Sequence, residues 1–237
     1  MAPNLSPDYS SSEALVFAKT YFSINLSQIK QLDSYIDQNF LGTTQTGKKY
    51  IIKIANAGEK KSYLHAQNAA MKHLQNFREG VTTPTPIKTT AQQEVVCLQH
   101  PNGNQYLLRL FSFVQGQFMG HMANHTPLLL NDLGHFLGSL SQSLATFSHP
   151  GAHREHLWDL QKTLCLSDDT QYISCSEKRR LIEHFLYQIQ TNLQPLFPKL
   201  RRSVIHNDVN DYNTLVSSAN INKVCGLIDF GDLIYGI

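Results

Sequence analysis

Two β-branched runs near the carboxyl end each terminate in a polar, acidic loop, and this pairing constrains the fold more than any other feature. The first is "RSVIHNDVNDYNTLV", residues 202–216; the second, "VCGLIDFGD", residues 224–232, ends in Asp229-Phe230-Gly231-Asp232. Runs of this kind bounded by Asn, Asp and Gly read as short strands with turns between them. Adjacent strands of one hairpin would bring Asp208, Asn213 and Asp229 to the same end of a sheet. Carboxylate and amide oxygens gathered in this way suit a hard divalent cation such as Mg²⁺. That ion in turn suits a polyphosphate, whose charge it neutralises during transfer. The plainer alternative is an Asx-rich turn between strands, and it would not account for both stretches together.

A phosphate site also needs a cation on the far side. Lys53 lies at the middle of "YIIKIAN", between apolar neighbours on a predicted strand. An inward-facing lysine there is costly unless an anion meets it. The remaining pattern places that strand in a β-rich first half. Ser10 and Glu13 form a capping-box pair ahead of a predicted helix over 11–22. A hairpin follows, with a turn at Thr43–Gly47 and a strand over Tyr50–Ile54, and then an amphipathic helix within "KKSYLHAQNAAMKHLQNF". "EVVCLQH" and "QYLLRLFSFV", joined by "PNGN", make a second predicted hairpin. After Gly116 the pattern turns helical, in "LLLNDLGHFLGSLSQSLATF" and "SEKRRLIEHFLYQIQTNLQPLF", with a His-rich loop between. The expected fold is α+β and bilobal, with a small β-rich lobe over residues 1–115 and a helical lobe over 116–237.

Bulk properties exclude several alternatives. Lys plus Arg numbers 20 and Asp plus Glu 18, so no general basic face invites nucleic acid. Cys97, Cys165, Cys175 and Cys225 are scattered with no CxxC pair, which argues against a zinc knuckle or a disulfide scaffold. The amino end lacks the charged-then-apolar order of a secretion signal, and no apolar run approaches bilayer length. A cytoplasmic protein with neither nucleic-acid nor membrane partners is expected. His149, His153 and His156 have metal-like spacing but no neighbouring Cys or carboxylate cluster, and read as a surface loop. Trp158 is assigned to packing.

His206, Asp208 and Asn213 in an H-x-D-x-x-x-x-N order, followed by "IDFGD", resemble the aminoglycoside phosphotransferase and choline kinase superfamily, a relative of the protein kinases. "KKYIIKIAN", "QNAAMKHL", "LLRLFSFVQG" and "HPGAHREHLWDL" are similar to the branch that contains hydroxylysine kinase and the kinase-type domain fused ahead of bacterial class-III aminotransferases. The resemblance implies a protein-kinase-like bilobal fold, with Asp208 as the catalytic aspartate and Asn213 and Asp229 as Mg²⁺ ligands. His206 would be a scaffold for the loop, and Lys53 would touch the donor's phosphates. The connection Leu110–Gln115, with Phe111 and Phe113, would be a hinge offering backbone groups to the nucleotide base; the two rings themselves also read as core between the lobes. Asp232 would be either a supporting hydrogen-bond acceptor or a contact to a substrate amine.

Three departures accompany the resemblance. "SYIDQNF" replaces a GxGxxG turn over the phosphates. The helix expected to give Lys53 an acidic partner offers Gln67 and Asn68, with Glu59 ahead of it as a candidate. The chain also stops five residues after Asp232, where the superfamily continues into further helices. A helical lobe lacking those helices should expose apolar surface and invite a partner chain or self-association. The function implied is Mg²⁺-dependent transfer of a γ-phosphate from ATP or GTP to a hydroxyl of a small molecule, an amino alcohol or a hydroxy-amino acid such as hydroxylysine. A second class of function is a non-catalytic nucleotide-binding or interaction module.

Overall fold

Alternation along Tyr50-Ile51-Ile52-Lys53-Ile54 sorts the first half of the molecule into two faces. In the computed structural model, which describes residues 5–237, Tyr50, Ile52 and Ile54 are buried against a helix while Ile51 and Lys53 point the other way. That helix, α1 (Ser11–Phe22), starts at the expected capping box, with Ser10 and Glu13 bonding each other's backbone. It presses Ala14, Ala18 and Phe22 onto the sheet.

The sheet has six strands: β1 (Gln28–Leu32), β2 (Gln38–Thr43), β3 (Lys49–Ala55), β4 (Pro86–Ile87), β5 (Val96–Gln99) and β6 (Gln105–Ser112). Their order is β1-β2-β3-β6-β4, with β5 also pairing β6. Phe40, Ile52, Ile54, Leu108 and Leu110 fill the face under α1, each burying apolar surface worth roughly 1.5–3 kcal/mol. The other face meets α2 (Lys61–His73). Both predicted hairpins are present. β1 carries few buried residues and no strong alternation, so its pattern gives little signal.

The second half differs from the predicted outline in one respect: it holds strands as well as helices. α3 (Pro127–Leu144) begins at the Thr126 cap. α4 (Ser176–Gln188) is shorter than the apolar pattern suggested. Its last turns loosen into a π turn and a 3-10 segment over Gln194–Lys199, where Pro195 and Pro198 remove helical N–H donors. Between them β7 (Gln117–Phe118), β9 (Thr214–Val216) and β10 (Val224–Leu227) form one small sheet, and β8 (Ser203–Ile205) pairs with β11 (Ile234–Gly236). The two motif stretches thus share the β9–β10 hairpin, while the strand leading into His206 pairs beyond the second motif.

The two halves are stapled together. Thr82 exchanges backbone hydrogen bonds with Cys225 and Leu227 at 2.9 and 3.1 Å, adding a rung to β10. Ala70 and Met71 of α2 share a core with Phe136 and Leu140 of α3 and with Val204, Val216 and Leu227. Beside this core Asp132 is buried, accepting from Arg78 at 2.6 Å, Lys223 at 2.8 Å and the Val224 N–H at 2.9 Å. Burial raises its carboxyl pKa, but these donors outweigh it and hold the group below its ordinary value. Asp132→Ala is expected to lower stability by about 3 kcal/mol, because Arg78 loses its buried partner. A urea melt showing a loss below about 0.5 kcal/mol, the range of a neutral surface change, would overturn this.

Apolar side chains do lie open on the helical half: Leu181, Phe185 and Tyr187 of α4, and Leu157 nearby. Trp158, assigned to packing, is instead 65% exposed. No helix among the described residues is long and apolar enough to cross a membrane.

Candidate active site

The loop between β8 and β9 is built around Asp208. Its Oδ1 accepts from the Asn210 amide at 2.9 Å, and its Oδ2 from the Asn213 amide at 2.8 Å. Asn213 gives a further bond to the Asp208 carbonyl at 2.9 Å. With its amide donors directed at Asp208, Asn213 has its amide oxygen left as the atom available to a cation.

His206 ties this loop to the next. The Asp208 N–H donates to His206 Nδ1 at 3.3 Å, so Nε2 carries the proton and donates to the Ile228 carbonyl at 3.1 Å. Burial pushes the His206 pKa down to about 4, and Asp229 and Asp208 only partly oppose it. The ring is therefore neutral near pH 7 and packs edge-on against Phe230 at 4.6 Å. Ile228 also donates its N–H to the Asn213 carbonyl at 2.9 Å, so the residue before Asp229 is anchored to both motif loops.

Asp229 itself has φ 55°, a left-handed backbone that Asp tolerates better than most residues. Its Oδ1 accepts from the Gly231 N–H at 3.1 Å and from Lys53 Nζ at 3.1 Å. The nearby Lys53 charge holds the Asp229 pKa at about 2 against the opposing effect of burial. The side chain still keeps 45% of its surface exposed. Asp232 lies three residues on, its Oδ1 3.2 Å from His156 Nε2. Burial raises its pKa; His156 works against that, and Asp208 and Asp229 add to it.

Lys53 reaches these loops because β3 and β6 pair in register, placing Lys53 opposite Arg109 on the face away from α1. Burial disfavours its charge, but Asp229 and Asp37 outweigh that and raise its pKa. Asp37 Oδ2 lies 3.5 Å from the ammonium, and Asp37 Oδ1 is fixed by the Asn56 N–H at 3.0 Å. The acidic partner absent from α2 is thus supplied by the turn between β1 and β2, within "SYIDQNF". On α2, Asn68 accepts instead from Arg109 at 3.0 Å.

Phe111 is 5% exposed and packs in the core shared by the two halves, with the Arg109 guanidinium 5.0 Å from its ring. Phe113 is half-buried beneath Lys49. The linker then runs through Gly116, where a Cβ would lie 2.8 Å from the Leu215 side chain. Only glycine permits that approach at φ 155°.

Sequence reasoning missed Asp37, Arg154 and His156. Asp37 could have been found by asking which acid in the phosphate-covering turn sits beside Lys53 in register, since Asn39 pairs with Lys53. Glu59, the earlier candidate, binds Arg154 at 3.0 Å rather than Lys53. The histidine-rich stretch is no exposed loop at this point: the His156 side chain is 17% exposed.

Among the described residues no three His, Cys, Asp or Glu side chains form a ready-made metal cage. The donor set that remains, the Asn213 amide oxygen and the Asp229 carboxylate, fits an ion that keeps waters and takes phosphate oxygens as further ligands.

The sequence profile of the phosphotransferase enzyme family matches residues 28–237. Hydroxylysine kinase from Mus musculus is 26% identical over 253 residues, covering 97% of this chain and 66% of that protein. Hydroxylysine kinase from Xenopus laevis is 27% identical, covering 98% of this chain and 67% of that protein. The chain thus spans about two thirds of the length of these relatives. Amicoumacin kinase, solved with AMP-PNP, Ca²⁺ and Ami, superposes with a TM-score of 0.71 at 18% identity over 96% of this chain and 65% of that one. A microcompartment-associated aminopropanol kinase superposes with a TM-score of 0.62 at 16% identity, over 96% of this chain and 71% of that one. These structural likenesses concern the fold, which is kinase-like and α+β.

Proposed function

The chain belongs to the phosphotransferase enzyme family, and from that premise we propose that it transfers the γ-phosphate of ATP or GTP to the hydroxyl of a small amine-bearing acceptor. The observation that carries this reading is the facing pair of devices: Asp208 oriented by Asn210 and Asn213, and Asp229 joined to Lys53 across the cleft. In this reading the two expected lobes, divided after residue 115, would be the two sides of that cleft.

In this reading Asp208 aligns the acceptor hydroxyl and takes its proton as the new O–P bond forms. The bond from the γ-phosphorus to the bridging oxygen breaks, and the nucleoside diphosphate leaves. Lys53 has three N–H donors, and with two directed toward Asp229 and Asp37 it retains one for a phosphate oxygen. A magnesium ion held by Asn213 and Asp229 would neutralise the charge of the phosphates. The linker Phe113–Gly116 would present backbone groups to the base.

The relatives' names, hydroxylysine kinase and aminopropanol kinase, support this acceptor class. Both imply a hydroxyl near an ammonium, and Asp232 offers a carboxylate beside Asp208 to receive one.

The test incubates the purified chain with Mg²⁺ and ATP or GTP, alone and with hydroxylysine or short amino alcohols. Acceptor-dependent release of the nucleoside diphosphate is the expected result. Nucleotide binding without turnover on any acceptor would leave the non-catalytic module instead. Lys53→Met is expected to raise the nucleotide KM about tenfold or more with the acceptor KM unchanged. An equal rise in both would remove Lys53 from the phosphate site.

A further inference from the structure

Arg154 is a charged residue that neither motif announces, and it lies against the turn that follows Asp229. Its side chain is 4% exposed. Nη1 donates to Glu59 Oε1 at 3.0 Å, Nε to the Leu233 carbonyl at 3.2 Å, and Nη2 to the Gly231 carbonyl. The guanidinium carbon sits 5.0 Å from the centre of the Tyr63 ring. All three nitrogens of the fork are therefore engaged, as a buried guanidinium requires.

The two carbonyls flank Asp232 and close the turn that begins at Asp229. That turn contains a left-handed aspartate, a conformation that persists only when its surroundings over-determine it. Inside the turn a single bond, Gly231 N–H to Asp229 Oδ1, restrains the carboxylate. From α2, Gln67 adds one long contact to the Gly231 carbonyl at 3.4 Å. The Leu233 N–H closes the turn on the Phe230 carbonyl at 3.3 Å, and Arg154 adds two bonds to its carbonyls from outside.

The arginine is itself held. Its segment follows a 3-10 turn, Pro150–Ala152, whose Gly151 approaches α2 so closely that a Cβ would lie 2.1 Å from the Ser62 carbonyl oxygen. Glu59 and Tyr63 flank the start of the same helix. Arg154, beside the long Gln67 contact, thereby links the start of α2 to the turn that bears Asp229.

Resting on the phosphotransfer reading above, we propose that Arg154 is a positioning residue that holds the Asp229–Leu233 turn in its metal-accepting shape, with Glu59 fixing the arginine from the α2 side. In a kinase-like fold an acid on this helix would be expected to meet the lysine, with Glu59 ahead of it as the candidate here. Here the lysine takes Asp37, and Glu59 serves the metal turn instead. The planar fork is what bridges carbonyls two residues apart; a lysine keeps the charge but cannot span both.

The test compares Arg154→Lys, Arg154→Met and Glu59→Gln with the native chain. It measures the Mg²⁺ concentration that half-saturates nucleotide binding, the thermal melt, and amide hydrogen exchange at Phe230–Leu233. Both Arg154 variants are expected to need about tenfold more Mg²⁺, the effect usual for residues that orient metal ligands. Exchange at Phe230–Leu233 should accelerate in both, and Glu59→Gln should shift the same two readouts by a smaller factor. A purely structural strut would lower the melt without moving Mg²⁺ half-saturation relative to metal-free nucleotide affinity. That outcome, or unchanged exchange in Arg154→Lys, overturns the proposal; if Arg154→Met fails to fold, Arg154→Lys decides. Absence of Mg²⁺-dependent binding in the native chain would sink the phosphotransfer reading, while the exchange measurement still decides whether Arg154 holds the turn.

Discussion

Asp208→Asn is expected to reduce phosphoryl transfer by about 10³-fold, within the range usual for a positioned general base, while nucleotide affinity stays within about threefold of native. The substitution preserves size and removes both the negative charge and the ability to accept a proton. Asp208 is held by two amide donors, from Asn210 and Asn213, at 2.9 and 2.8 Å. An asparagine can answer only one of them with its oxygen; its own NH₂ group faces the other donor, so the loop loses a hydrogen bond as well. That loss is modest, about 1 kcal/mol in a partly open loop, and a small shift in the melt is expected beside a large one in rate. Steady-state kinetics with the nucleotide and the acceptor varied separately makes the check. Turnover within tenfold of native would remove Asp208 from the proton-transfer role, and a matching collapse of nucleotide affinity would assign it to the phosphates instead.

The site was legible in the sequence where chemistry is carried by short local spacing. His206, Asp208 and Asn213 lie within one loop, and Asp229 follows β10, which pairs with the β9 strand that leaves this loop, so local pattern was enough to place them together. Lys53 was legible because strand alternation fixes which face it occupies. The partners of these residues were not. Asp37 meets Lys53 only through the β2–β3 register, Glu59 meets Arg154 across 95 residues, and Arg154 meets Gly231 across 77. The two Arg154 contacts are decided by how the start of α2 sits on the second half of the chain, which no periodicity reports. Trp158, assigned to packing, is likewise open. The shortened α4 was readable in principle, since Pro195 stands inside the predicted helix, Pro198 directly follows it, and proline interrupts the ladder.

Asp229→Asn is expected to abolish the Mg²⁺ enhancement of nucleotide affinity, a change on the order of 100-fold or about 2.7 kcal/mol. Asparagine is the informative replacement because it tolerates the left-handed backbone at φ 55° and can still accept the Gly231 N–H. What it removes is charge. Lys53 then keeps Asp37 alone, at 3.5 Å, and remains protonated, so metal-free nucleotide should bind no worse and the effect is confined to the metal arm. The pH dependence has a definite sign. The native Asp229 pKa lies at about 2, below the ordinary aspartate value, so the carboxylate is ionised across neutral and mildly acidic pH. Its attraction to Lys53 is therefore fully present above about pH 4, the unfolded aspartate value, and is lost only as pH falls through about 2. Between pH 5 and 8 the contribution of Asp229 to Mg²⁺ binding should be flat, and any titration seen there belongs to another group, with the His156–Asp232 pair the nearest. Calorimetric titration of nucleotide with and without Mg²⁺, on native and variant chains across that range, makes the measurement. An intact Mg²⁺ enhancement in the variant would remove Asp229 from the metal.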